Sequence, residues 1–141
     1  MAGNFAARKL KKNRKKFKLK KEIYRSRVFG YHDKMDPLEG APQAKGIVLE
    51  KRQMEQKQPS SGLIKCVRIR LVKNGKQVTA HVPKSGAINQ ITEHDQVTVE
   101  GIGGSQGGAV GSIPGVKWRV FKVNGIALEM LRIGKKQKPA R

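Results

Sequence analysis

One cysteine occurs in the 141 residues. Cys66 therefore has no partner for an intrachain disulfide, and a zinc site built from several cysteines is excluded. Hydrophobic residues make up 37% of the chain and aromatic ones 5%, which leaves only a small core and places much of the chain outside a globule. No run approaches the roughly 20 apolar residues of a membrane-spanning helix, and the N-terminus lacks the apolar stretch of a signal peptide. The chain is expected to be soluble and intracellular, with no membrane partner. Acidic residues are the other scarcity. Ten Asp and Glu stand against 31 Lys and Arg, a formal net charge of +21 at pH 7, which self-repels unless a polyanion neutralises it. Nucleic acid is the leading partner.

The patterns of common catalytic and cofactor sites are missing too. His32, His81 and His94 fall in three separate elements, without an HExxH pair or ligand spacing, so no metal is expected. The glycine-rich stretch "GIGGSQGGAVGS" departs from a phosphate-binding loop, because Ala109 follows Gly108 where Lys and Ser or Thr are needed. Gly101 and Gly103 also lack a third glycine at the dinucleotide spacing. Ser60 and Ser61 have no paired base and acid nearby to make either a nucleophile. The reading is a protein that is not an enzyme and takes no cofactor.

What is present divides by charge and periodicity. No acid precedes Glu22, while Arg8, Lys9, Lys11, Lys12, Arg14, Lys15, Lys16, Lys18, Lys20 and Lys21 crowd together. Water alone is expected to leave this arm loose or partly helical, and Leu10, Phe17, Leu19 and Ile23 suit a helix once phosphates screen the lysines. A basic run fits direct RNA contact, and it also fits a solvated or nuclear-targeting tail. From Tyr31 to Gly46, Pro37, Gly40 and Pro42 interrupt any period, which reads as an extended connector. Strand patterns follow. "GIVLEKR" is strand-like, and "CVRIRLV" alternates, with Val67, Ile69 and Leu71 on a core face and Arg68 and Arg70 on a positive one. Asn74-Gly75 predicts a type I′ hairpin turn leading back into "QVTAHVP". Further strands are expected at "QVTVEG", "VKWRVFKV" and "IALEML", with Val116, Trp118 and Val120 filling the core and Pro114-Gly115 centring a type II turn.

About five short strands with one basic face predict a mainly β fold, a small five-stranded OB-like barrel with an SH3-like barrel as the alternative. It carries a long basic N-terminal extension, partly helical when RNA-bound, and a basic C-terminal tail in which Lys138 is expected to be exposed. The expected division is 1–45 for the extension and connector, 46–131 for the barrel and 132–141 for the tail. Between the first two strand patterns stands "KQPSSGLIKC". Its tip is polar and stiff, since serine hydroxyls donate and accept, Gly62 allows close approach and Pro59 fixes φ. Such a tip suits the wide, shallow minor groove of RNA with its 2′-hydroxyls. The same composition fits an ordinary surface turn.

Several ordered blocks, "DPLEGAPQAKGIVLEK", "KQP" with its serines, "KCVRIRLVKNGKQVTAHVP" and "IPGVKWRVFKVNG", carry a resemblance over nearly the whole chain. Together they resemble the universal small-subunit ribosomal protein S twelve family, in its archaeal and eukaryotic form. The resemblance implies a protein binding rRNA at the decoding centre and contributing to translational accuracy, with the arm threading through rRNA. Its implied partners are small-subunit rRNA, the codon–anticodon helix of mRNA and tRNA, neighbouring ribosomal proteins and elongation factors. It places Lys57, Gln58, Pro59, Ser60, Ser61 and Lys65 at the decoding loop, with Pro59 and Ser61 near the second codon position and Lys57 on decoding rRNA. A second loop of Ser112, Ile113, Pro114 and Gly115 lies close by. Arg68, Arg70 and the arm's cations are expected on rRNA. The family usually shows Asn, Ser and Ala after that proline and an Arg two residues later, where this chain has Ser60, Ser61, Gly62 and then Ile64. Ser60 cannot reproduce the amide donors of Asn. Ser112 stands where the family usually has Asp, so no role of that carboxylate is carried over. The alternative is a free-standing OB-type RNA-binding module or translation factor, which a high-salt wash would strip from the small subunit.

Overall fold

The computed structural model describes residues 3–139, which divide into two compact units, one up to Gly40 and one from Ala41. The first unit is helical, more so than the loose arm and extended connector expected above: α1 spans Ala6–Lys20, α2 Glu22–Phe29 and α3 Tyr31–Met35. Propensity explains this. Ala, Leu, Lys and Arg fill α1 without a glycine or proline, and these straight-chain residues lose little rotamer freedom in a helix. Lys18 and Lys20 lie in its last turn and Glu22 in the first turn of α2, each charge suited to the helix end it occupies. Gly30 ends α2 with φ of 60°. Beyond α3, both carboxylate oxygens of Asp36 close the "DPLEG" corner, accepting from the Leu38 N–H at 2.9 Å and the Gly40 N–H at 3.0 Å. None of the three helices buries a side chain.

The second unit is mainly antiparallel sheet. Its strands are β1 Gln43–Glu55, β2 Leu63–Leu71, β3 Gln77–His81, β4 Gln96–Gly101, β5 Trp118–Val123 and the two-residue β6 Ile126–Ala127, followed by helix α4 Leu128–Ile133. They line up in the order β3-β2-β1-β4-β5-β6, and β3 also pairs with β5 in parallel through Ala80↔Trp118 and His81↔Arg119, which closes a ring of five. The alternating face of β2 behaves as its sequence demands. Val67, Ile69 and Leu71 are buried, Arg68 is half-buried and Arg70 exposed. With Val48, Val97, Val99, Val120 and Val123 they make the core, each fully buried aliphatic stabilising the fold by about 1.5–3 kcal/mol.

β1 does double service. It pairs with β4 only from Gln43 to Ile47, and with β2 from Gly46 to Glu55, passing an irregularity between Val48 and Glu50. From Gln53 onward, beyond the β2–β3 pairing, it forms a two-stranded ribbon with β2. Gly46 sits where three strands converge, and a Cβ there would stand 2.9 Å from the Arg70 carbonyl oxygen and overlap Ile69. Gly46→Ala is expected to cost about 1–3 kcal/mol, the usual range for forcing atoms into a filled core, read as a lower denaturant midpoint of the full chain.

Several expectations are corrected. "IALEML" is not a strand beyond Ala127. Leu128 and Leu131 are the buried pair, a spacing of three that a helix presents on one face, and Gly134 closes α4 with φ of 88°. The β2–β3 hairpin forms, but only Gly75 of its turn has positive φ. A type I′ turn needs two such residues. Instead Gly75 N–H donates to Leu71 O at 3.0 Å and Asn74 Oδ1 accepts from Lys76 N–H at 3.1 Å. Of the two Asn-Gly dipeptides, the one with positive φ at both positions is Asn124-Gly125, at 50° and 83°, between β5 and β6. Trp118 is half-buried while Val116 and Val120 are buried. Lys138, expected to be exposed, is 24% exposed and bonds Asp95, whose side chain is wholly buried.

Candidate nucleic-acid interface

The ribbon of β1 and β2 ends in the loop that the sequence singles out. Residues 57–63 are all exposed. Backbone bonds shape the loop from beneath: Gln56 N–H donates to Gly62 O at 3.0 Å and Ser60 N–H to Lys57 O at 3.0 Å. The Gln58–Pro59 peptide is cis. Gly62 lies under Gln56, whose Oε1 would be 2.6 Å from a Cβ built there. That atom is the far end of a flexible side chain, so an alanine at this position requires only that Gln56 swing away. Lys57, Ser60 and Ser61 are thus exposed on a loop whose ends are already bonded to each other.

The second nominated loop meets the first. Lys57 N–H donates to Ser112 O at 2.9 Å. Ser112, Ile113 and Pro114 are half-buried and Gly115 is exposed, with φ of 67°, the positive value a type II turn requires at its third residue. Beneath the junction lies a small satellite core in which Ile64, Cys66 and Val116 are buried, with Met54 and Ile113 packed against them. Burial pushes the Cys66 thiol upward from its ordinary value, only partly opposed by the charge of Arg52, so the group stays protonated and packs as a small apolar side chain. Side-chain chemistry alone did not reveal this pairing of loops, since the bond between them is main chain to main chain. The hint available was "SIPGV", an aliphatic residue on each side of a fixed turn.

Positive charge runs along β2 away from the loops, from Lys65 near them to Arg70 at the far end, where its guanidinium lies by Gly75 of the β2–β3 turn. Lys65 is half-buried, and its carbonyl accepts from Val82 N–H at 3.0 Å. Arg70 is exposed. Arg68 lies 3.7 Å from Glu50, which also lies 3.6 Å from Arg52. All three side chains are more than two-fifths exposed, and exposed pairs contribute about 0–1 kcal/mol, so a phosphate displaces Glu50 from Arg68 at little cost. In the first unit, every Lys and Arg of α1 and Lys21 are exposed. Helix α1 carries no acidic residue to compete for them. Leu10 and Phe17 sit on that helix 64% and 60% exposed, and Lys20 Nζ lies 5.3 Å from the Phe17 ring centroid.

Two polar clusters were not foreseen. Asp95 accepts from Thr92 N–H and Thr92 Oγ1, both at 2.9 Å, and from Lys138. Burial by itself drives the Asp95 carboxyl upward, but the bonds from Lys138 and Thr92 outweigh it and hold it at about 2. Glu129 takes Lys84 at 2.7 Å and Arg132 at 2.9 Å, and Arg132 first, then Lys84, depresses its carboxyl to about 2. Thr92–Asp95 and Glu129–Arg132 are local pairs three residues apart, but Lys138 and Lys84 have no sequence signature, because they meet their carboxylates only in the folded chain.

Residues 31–141 match the family model described as Ribosomal protein S12/S23. The match takes in the Asp36 corner, the closed ring, both joined loops and α4, and begins after α2. The chain belongs to the ribosomal protein S12/S23 family, structural proteins of the small ribosomal subunit that work in translation among rRNA and neighbouring ribosomal proteins.

Proposed function

We propose that this protein binds rRNA at the decoding centre and contributes to the accuracy of codon reading through the joined loops at Lys57–Ser61 and Ser112–Gly115. The ring of five, on this reading, is an OB-type barrel spanning 46–131, with 1–45 as an extension threading through rRNA and 132–141 as a C-terminal tail. The observation that carries the proposal is the bond from Lys57 N–H to Ser112 O at 2.9 Å. It turns two loops nominated separately into one platform, on which Lys57, Ser60 and Ser61 are exposed. Hydroxyls meet 2′-hydroxyls of a minor groove without reading base identity, and the codon–anticodon helix presents such a groove. Lys57, Lys65, Arg68 and Arg70 take the flanking rRNA phosphates, and the arm's cations take rRNA along α1.

The test is Ser61→Ala in reconstituted small subunits. It removes a hydroxyl and leaves the backbone alone, and one neutral hydrogen bond is worth about 0.5–1.5 kcal/mol. The ratio of cognate to near-cognate decoding rates is therefore expected to fall about 2- to 10-fold with assembly intact. Lys136→Ala, at an exposed tail position, serves as the control and leaves the ratio unchanged. Parental discrimination by fully assembled Ser61→Ala subunits would falsify the hydroxyl contact, and a failure of assembly would make the loop a packing element against rRNA.

A further inference from the structure

We infer that Ile64 is a positioning residue for the joined loops: through the satellite core it holds the 112–116 segment against the β1–β2 ribbon and thereby sets where Lys57 and Ser61 stand. The inference deepens the decoding proposal and rests on it for its functional half. Ile64 is the second residue of β2, just after the exposed loop and opposite Met54 of β1. It is 8% exposed and packs in one cluster with Cys66 and Val116, joined by Met54 and Ile113. Three of these side chains belong to β1 and β2 and two to the second loop. Ile113 directly follows Ser112, whose carbonyl holds the Lys57 N–H, so the apolar contact and the hydrogen bond fasten the same two segments at adjacent residues.

The bond has little else to preserve it. Residues 57–63 are exposed, and an exposed backbone bond exchanges freely with water unless its two sides are held together by buried apolar contacts. The satellite core supplies those contacts. This gives a physical reason for an aliphatic side chain at position 64: a charged side chain at a position 8% exposed would need a partner, and the cluster consists of Ile, Val, Met and a protonated thiol. In this chain the junction is apolar, and the loops are locked by packing.

Amide hydrogen exchange of the full chain tests the physical half. Ile64→Ala is expected to speed exchange of the Lys57 amide at least about 10-fold, as local opening becomes easier, while amides of Val67 and Val97 in the main core keep the parent rate. Ile64→Val, which keeps most of the contact, stays within about 2-fold of the parent. Met54→Ala, at a half-buried site, gives a second reading if Ile64→Ala does not fold. A Lys57 amide that exchanges at the parent rate in the alanine variants overturns the inference whatever Ser61 does. The functional half is read as discrimination in reconstituted subunits. Ile64→Ala lowers the cognate to near-cognate ratio, and adding Ser61→Ala to it lowers the ratio no further, because both act through one hydroxyl. If Ser61→Ala shifts discrimination and Ile64→Ala does not, Ile64 has no positioning role and the decoding proposal stands. If Ser61→Ala has no effect, the decoding contact fails by itself, and the Lys57 exchange rate alone decides whether Ile64 couples the loops.

Discussion

Removing residues 2–21 is expected to flatten the salt dependence of rRNA binding more than any change in the second unit. The deletion takes away ten Lys and Arg and no acidic residue, all ten of them exposed. Each neutralised phosphate contributes about 0.7–0.9 to the slope of log affinity against log salt, and six to ten contacts account for about 10³–10⁵ in affinity between 50 and 200 mM salt. Because α1 carries its cations around most of its circumference, with only the Ala6, Leu10 and Phe17 side left apolar, a large share of them reach phosphate only if RNA lies on more than one side of the helix. A slope lowered by about 4 or more fits such enclosure, while a drop near 1 fits a helix resting on a surface. Filter binding of parent and truncated chains to small-subunit rRNA across a salt series measures it. An unchanged slope moves the electrostatic contact to Arg68, Arg70 and the tail.

The second large effect is on stability. Lys138→Ala takes the ammonium away from the Asp95 carboxylate, which is 0% exposed and keeps the two Thr92 donors. Breaking a buried ion pair from one side costs about 3–5 kcal/mol, and the low end applies because Lys138 is itself 24% exposed. The pH dependence separates this from a loss of packing. In the parent, Asp95 is held at about 2 against an ordinary 3.8. A carboxyl depressed on folding contributes stability that is fully present above the ordinary value and is lost as pH falls from about 4 to about 2, here roughly 2 kcal/mol. Without Lys138 that depression shrinks, because its ammonium is among the groups that hold the carboxyl down, and the variant has less stability to lose on acidification. Denaturant midpoints of parent and variant are therefore expected to draw together as pH falls from 7 toward about 3. Midpoints at pH 7 within about 0.5 kcal/mol of each other would sink the ion pair as a stabilising contact.

How much was legible in the chain depends on whether a feature is local. Val67, Ile69 and Leu71 alternate with Arg68 and Arg70, and the structure buries the first set as the pattern demands, because one strand's period is set by its own pleat. The helix of Leu128 and Leu131 was read as a strand, since a short apolar run does not distinguish the two and only the neighbouring surface decides which residues it buries. Asn-Gly occurs twice, and the wrong one was assigned the tight turn: the returning strand sets how many residues the loop must span, and after β2 it spans more than two. The polar tip at Pro59–Gly62 was legible as a turn from residue types alone. Its junction with Ser112 was not, since any two residues can make that bond. Lys138 looked like one more tail lysine for the same reason that Asp95 looked like one more surface carboxylate.

The edge of β1 from Glu50 to Glu55 bears on how copies of the chain meet. Over that stretch β1 is paired on one side only, so a row of strand N–H and C=O groups is open to a strand from another copy. Glu50, Lys51 and Arg52 occupy this stretch, exposed, and a second such edge laid alongside would bring charged side chains and their hydration into the seam. Net charge keeps whole molecules apart only until salt or RNA screens it. A charged strand edge acts at contact distance and persists after screening, so it opposes edge-to-edge pairing of copies even where salt has removed the long-range repulsion.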